Sequence, residues 1–207
     1  MKIFLVRHGR TLFNQKKVWQ GWCDAPLLQK EGVELSRALG LGLKEIPFEA
    51  VYSSPLKRAR DTAKYFMEGY GKEYPVQILD DLMEMHFGTL EGDPISEELH
   101  ARFYEGYERF GGDSVESLTG RMIRALETIR TQNPQGNVLA VSHGWAIRCA
   151  LRHIDQKRLD DLYNRGFHSA NCSVSILEYA DGKWTIQSVY DKSYTEKGLN
   201  LLKEDSK

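Results

Sequence analysis

The chain has little cysteine, no surplus of either charge and no long apolar run. Its three cysteines, Cys23, Cys149 and Cys172, are scattered through 207 residues, odd in number and without CxxC spacing. That pattern builds neither a disulfide framework nor a thiolate metal site, and it points to a reducing cytoplasm. Lysine and arginine number 28 against 29 aspartates and glutamates, a formal net charge of −1. Nucleic-acid and membrane-surface proteins usually carry a basic surplus, so neither partner is expected. No stretch approaches the ~20 apolar residues of a membrane span. Lys2 leads through a short apolar run straight into Arg7, unlike a secretory leader. Internal repeats, low-complexity tracts and long polar linkers are also missing, and the length suits one domain over residues 1–207.

What is present is alternation. The runs "KIFLV", "FEAVYSS", "YPVQIL" and "NVLAVS" read as strands, and helical patterns lie between them, as in α/β proteins. "EGVELSRALGLGL" has helical spacing. "SPLKRARDTAKYFMEGYG" predicts a helix with Ser54 as N-cap and Pro55 at the first helical position. "SVESLTGRMIRALETIRTQ" predicts the longest helix, capped by Ser114 or Ser117, with Val115, Leu118, Met122, Leu126 and Ile129 along one face. "GWAIRCALRHI" predicts another, and Asp181-Gly182 marks a hairpin in "CSVSILEYADGKWTIQSVY". One segment, about 93–113, interrupts the alternation. Its Phe103, Tyr107 and Phe110 stand at i, i+4 and i+7 and predict the apolar face of a helix, placed where it could cap a site.

The chemistry gathers at strand ends, where α/β folds open a crevice. "FLVRHGRTLFN" sets Arg7 and His8 side by side at the end of an apolar strand. Burying such cations without partners costs several kcal/mol each, so an anion is expected to meet them. Arg58 lies one turn into the helix after the second strand, and Glu84 follows the third in "LMEMHFGTLEG". Ser142, His143 and Gly144 end "LAVSHG". A lone strand-end histidine is usually satisfied by a carbonyl; four such positions in topological order are a much more specific signal.

Arg7-His8-Gly9, Asn14, "SSPLKRA" with Arg58, "EMHFGTLEG" with Glu84 and "SHG" with His143 resemble the histidine phosphatase superfamily, in its phosphoglycerate mutase-like branch. The resemblance runs from Lys2 to about the hairpin after Cys172. It implies a three-layer α/β/α sandwich with a mainly parallel central sheet and a small helical cap insertion at about 93–113. It also implies a transient phosphohistidine on His8, with no metal. Catalysis of phosphoryl transfer is mostly positioning and charge stabilisation. Arg7 and Arg58 can grip phosphate as forks, and two nearby cations bias His8 toward its neutral, nucleophilic form. His143 is expected to add a donor beside the backbone N–H groups of a helix start. Glu84 would protonate the leaving oxygen and then take a proton from water. Gly9, Asn14, Gln20, Gly21 and Gly144 match positions lining the phosphate and substrate pocket. Trp19 and Trp22 flank that loop as packing or as pocket wall. His86 reads as structural, and His100, His153 and His168 read as ordinary.

The chain also departs from that family. Arg10 stands where Glu or Gln is usual, Asp61 replaces a frequent Gln, and "LLQKEG" lacks a Ser or Thr cap and is one residue longer. "MHFGTLEG" and the short insertion favour a phosphomonoester hydrolase of a small phosphorylated metabolite, since an open cap admits water. The alternative is a mutase using 2,3-bisphosphoglycerate as cofactor; otherwise no cofactor is expected. Two further readings stay open: a metal triad of His8, His143 and Glu84, opposed by the adjacent arginines, and a phosphate-binding relative without turnover. The substrate's identity and the oligomeric state, a homodimer included, are not legible.

Overall fold

The computed structural model describes residues 1–204; residues 205–207 of the expected domain lie outside the described residues. In chain order the strands are β1 (Lys2–Arg7), β2 (Ala50–Ser53), β3 (Val76–Ile78), β4 (Asn137–Ser142), β5 (Val174–Ala180) and β6 (Lys183–Asp191). The helices are α1 (Leu12–Lys16), α2 (Leu35–Gly42), α3 (Lys57–Tyr70), α4 (Glu97–Ala101), α5 (Val115–Gln132), α6 (Gly144–Ile154), α7 (Gln156–Asn164) and α8 (Ser193–Glu204). They surround one six-stranded sheet of order β3-β2-β4-β1-β5-β6. The four strands β3, β2, β4 and β1 run parallel, and β5 and β6 add an antiparallel hairpin at one edge.

The strands read as continuous apolar runs because both faces of the sheet are covered. Period-two alternation divides β1 cleanly. Ile3 and Leu5 join Val138 and Ala140 of β4 under α5, α6 and α7, through Leu118, Met122, Ile147 and Leu159. Phe4 and Val6 join Leu139 and Val141 under α2 and α3, through Leu39, Ala63 and Phe66, with Tyr194 of α8 packed alongside. Three layers result, in the predicted α/β arrangement. On the second face α2 and α8 cross at backbone contact: a Cβ on Gly198 would collide with the carbonyl oxygen of Ala38, and one on Gly42 with that of Tyr194. The β5–β6 turn holds Asp181 and Gly182 at φ of 52° and 76°, the pair of left-handed residues that a type I′ hairpin requires.

As expected, "LLQKEG" lacks a side-chain cap, and its residues wind into a π-helical turn, Gln29–Glu34, ahead of α2. Two local expectations are corrected. Ser54 is not the N-cap of α3, which starts at Lys57; the amides of Lys57 and Arg58 donate to the Asp24 carboxylate at 2.6 and 3.4 Å. The 93–113 segment is not one helix. Short α4 ends at Ala101 and is followed by single 3₁₀ turns at 103–105 and 108–110, separated by Gly106 at φ 74°. Its aromatics still bury: Phe103 stacks on Trp145 of α6 at 3.5 Å and 7°, and Tyr107 packs against Phe87. Among the described residues no helix is long and apolar enough to cross a membrane.

Candidate active site

Parallel register carries the strand ends to one place. Arg7 pairs with Ser142 across β1 and β4, and the His8 amide donates to the Ser142 carbonyl at 3.0 Å. His8 and His143 therefore leave adjacent strands together, with ring centroids 5.2 Å apart. His8 is 3% exposed and lines a cavity of about 120 Å³ shared with Arg7, Asn14, Trp19, Gln20, Gly21, Arg58 and Glu84. Its Nδ1–H donates to the Gly9 carbonyl at 2.8 Å, which leaves Nε2 as the unprotonated nitrogen. The ring's pKa is pushed well below that of free histidine, by burial first and then by the charges of Arg58 and Arg7. Desolvation thus outweighs the neighbouring cations in keeping the ring neutral.

His143 is fully buried. Its Nε2 meets the Ser54 hydroxyl at 2.8 Å, and its pKa is likewise driven far down by burial, then by Arg58, His8, Arg7 and Arg121. Arg58, 1% exposed, donates from Nη1 to Asp24 and the Cys23 carbonyl, each at 2.9 Å, and from Nη2 to the Gly21 carbonyl at 2.6 Å. Arg7 donates from Nη1 to the Ser169 carbonyl. Burial lowers its pKa, with the Glu84 charge opposing that shift.

Glu84 occupies an unexpected position. Its carboxylate accepts the amides of Met85 at 3.0 Å, Trp145 at 3.2 Å and Ala146 at 2.9 Å. It caps α6, so the helix N-terminus expected to greet an external anion is already occupied. Trp22 Nε1 and Arg121 Nη2 both donate to the Glu84 carbonyl, at 2.9 and 3.2 Å, and fix the backbone beneath it.

The remaining predicted residues separate. Asn14 closes a capping box on α1 with Thr11 and accepts from Asn171 at 3.4 Å; Asn171 also donates to the His8 carbonyl at 2.8 Å. Gln20 accepts from Thr11 at 2.8 Å. Gly9 is not part of the cavity wall: its amide donates to Thr62 Oγ1, and a Cβ there would meet the Gly32 carbonyl at 2.7 Å. Its role is close packing. Gly144 lies against the Arg7 guanidinium and lines a second cavity. Arg10 pairs with Glu31 at 2.6 Å and lines neither cavity. His86 packs on Trp22 at 4.6 Å, outside the cavity. His8, His143 and Glu84 do not converge as ligands, and among the described residues no cluster of three or more His, Cys, Asp or Glu could hold a metal ion.

Sequence reasoning missed the second cavity, of about 250 Å³, which adjoins the first through Arg7, Glu84, His100 and Trp145. His100 and His168, read as ordinary, both line it, with Arg148, Tyr163, Phe167 and Tyr190. The one available signal was Arg148, a cation within the apolar run "WAIRCAL".

Four buried side-chain nitrogens of residues near His8 have no partner among the described residues: Arg7 Nε, Arg58 Nε, His143 Nδ1 and Gln20 Nε2. Unpartnered buried N–H groups are costly and rare; Arg7 Nε, Arg58 Nε and Gln20 Nε2 are such donors, and His143 Nδ1 is one in the tautomer whose Nε2 accepts the Ser54 hydroxyl. They belong to an α/β fold, and Arg7, Arg58 and Gln20 line the His8 cavity at the carboxyl ends of its parallel strands. The chain belongs to the histidine phosphatase superfamily (branch 1), whose family model matches residues 3–192. The uncharacterized phosphatase PhoE of Bacillus subtilis (strain 168) is 31% identical over 185 residues, 89% of this chain and 92% of its own length. A metal-independent phosphoserine phosphatase of Arabidopsis thaliana is 32% identical over 206 residues, covering 93% and 82%. A crystal structure of a phosphoglycerate mutase from Bacillus anthracis str. Sterne superposes with a TM-score of 0.84 at 28% identity, covering 96% of each chain.

Proposed function

We propose that the protein is a phosphomonoester hydrolase working through a phosphohistidine on His8. The observation that carries this reading is a buried neutral ring sharing one cavity with two arginines and Glu84, a setting whose positive charge a tetrahedral oxyanion would balance. His8 Nε2 attacks phosphorus as the bond to the ester oxygen breaks, and Glu84 delivers its proton to that oxygen. Water then loses a proton to Glu84 and attacks phosphorus, the P–N bond breaks, and His8 returns neutral. Its Nδ1–H stays on Gly9 throughout, which keeps the tautomer fixed. Arg7, Arg58 and His143 stabilise the charge spread over the transferring oxygens; loss of one such donor should raise the barrier by about 3–4 kcal/mol. A cytoplasmic setting suits three unpaired thiols.

The test is a rapid-quench measurement with p-nitrophenyl phosphate and EDTA. A burst of p-nitrophenol with acid-labile protein phosphate is expected, and both vanish in His8→Ala. Full turnover by that variant would overturn the reading. Isomerisation of 3-phosphoglycerate on addition of 2,3-bisphosphoglycerate, outpacing hydrolysis, would establish the mutase instead.

A further inference from the structure

Glu91 lines neither cavity and has no step in the proposed mechanism, yet its side chain is only 12% exposed. Its Oε1 accepts the amides of Trp22 at 2.8 Å and Phe87 at 3.1 Å, and its Oε2 accepts that of Cys23 at 2.8 Å. The loop it holds is the one that grips Arg58. The Gly21–Trp22 peptide gives its N–H to Glu91 and its carbonyl to Arg58 Nη2, the latter at 2.6 Å. The Cys23 carbonyl and the Asp24 carboxylate take Arg58 Nη1, each at 2.9 Å. A peptide unit is planar, so fixing the direction of its N–H fixes that of its carbonyl. A carboxylate at one end and a guanidinium at the other also strengthen both hydrogen bonds. Gly21 shows how closely loop and carboxylate are matched: it sits at φ 46°, and a Cβ there would collide with Glu91 Oε1. The same loop reaches Glu84, whose carbonyl accepts from Trp22 Nε1 at 2.9 Å.

We propose that Glu91 is a positioning residue for the His8 site: through the Gly21–Trp22 peptide it aims the Arg58 fork at the bound anion, and through the Trp22 indole it keeps that fork in register with Glu84. The inference rests on the hydrolase reading, which takes the His8 cavity as the phosphate site. Arg58 needs this support because residues 19–26 form neither helix nor strand. Carbonyls on an untethered loop would let the fork swing, and about 1 Å of misplacement costs on the order of 100-fold in rate.

The test titrates inorganic phosphate by calorimetry and measures kcat/KM on p-nitrophenyl phosphate. Glu91→Ala should weaken phosphate binding at least 10-fold and lower kcat/KM about 30-fold or more. Glu91→Gln, which keeps Oε1 as acceptor for Trp22 and Phe87, should recover most of both losses. Arg58→Lys keeps the charge beside Asp24 but has no fork to aim, so adding Glu91→Ala to it should weaken phosphate less than 2-fold further. Gly21→Ala pushes the carboxylate off the loop and should weaken phosphate about as much as Glu91→Ala, which keeps the test alive if that variant does not fold. Unchanged phosphate affinity in Glu91→Ala would overturn the inference and leave the hydrolase standing. So would a loss that multiplies in full with that of Arg58→Lys, the signature of a general loosening of the fold. If wild type turns over no p-nitrophenyl phosphate, the hydrolase reading falls; a 10-fold loss of phosphate affinity in Glu91→Ala would still support the positioning role, and an unchanged affinity would still overturn it.

Discussion

The two buried imidazoles make folding sensitive to mild acid, and the size of the effect follows from the site. In the unfolded chain each ring titrates near 6.5; folded, both pKa values lie well below that, burial being the largest cause. A depressed folded pKa means that the unfolded state binds more protons as pH falls through 6.5, so stability is full above that value and drains away below it. At pH 5.5 the loss is RT ln 11, about 1.4 kcal/mol per ring, or about 3 kcal/mol for His8 and His143 together. For a chain of this length that is roughly 6–12 °C in melting temperature. The assay is denaturant unfolding between pH 7.5 and 5.5 in a buffer free of phosphate. His8→Ala should cut the acid penalty by about half. A stability that is flat across this interval, or a slope unchanged in His8→Ala, would refute the claim that these rings fold in neutral form.

Asp24→Asn keeps an oxygen to cap α3 but strips the counter-ion from the fully buried Arg58; a loss of about 2 kcal/mol in urea unfolding and a 10-fold or greater fall in kcat/KM are expected. Gly198→Ala forces a methyl group into the Ala38 carbonyl where α8 crosses α2, and should cost about 1–3 kcal/mol by thermal melt with turnover per folded molecule unchanged.

The residues that sequence reading recovered are those whose meaning is local. Arg7 and His8 end an apolar strand, "SHG" ends another, and a parallel sheet delivers strand ends to one crevice whatever the loops do. Ser54 was misread because its hydroxyl has two claimants: a helix amide two or three residues ahead and the His143 ring 89 positions away. The structure satisfies both, since Ser54 Oγ accepts the Leu56 amide at 3.3 Å and meets His143 Nε2, but the helix itself starts three residues later at Lys57. The Phe103, Tyr107 and Phe110 spacing was a true burial signal attached to the wrong backbone, since Gly106 in a left-handed conformation ends any helix there. Arg148 stayed invisible as a candidate because a lone arginine on a helix is ordinarily solvated; its burial depends on Tyr104 and Tyr163, from segments far apart in the chain.

The site's charges are divided in a way that the proposed chemistry requires. Two carboxylates approach the arginines, and they are held differently. Asp24 is a fixed counter-ion, 2.9 Å from Arg58 and bound at the same time to the first amides of α3. Glu84 makes no ion pair within 4 Å among the described residues; it rests on three amides, two of them from the first turn of α6. A carboxyl that gives up and regains a proton in each cycle cannot also be the standing partner of a buried arginine, because every protonation would strand that cation at a cost of several kcal/mol. Asp24 removes that conflict by taking the arginine. The helix start then holds Glu84 in place through dipoles that do not move when its charge changes.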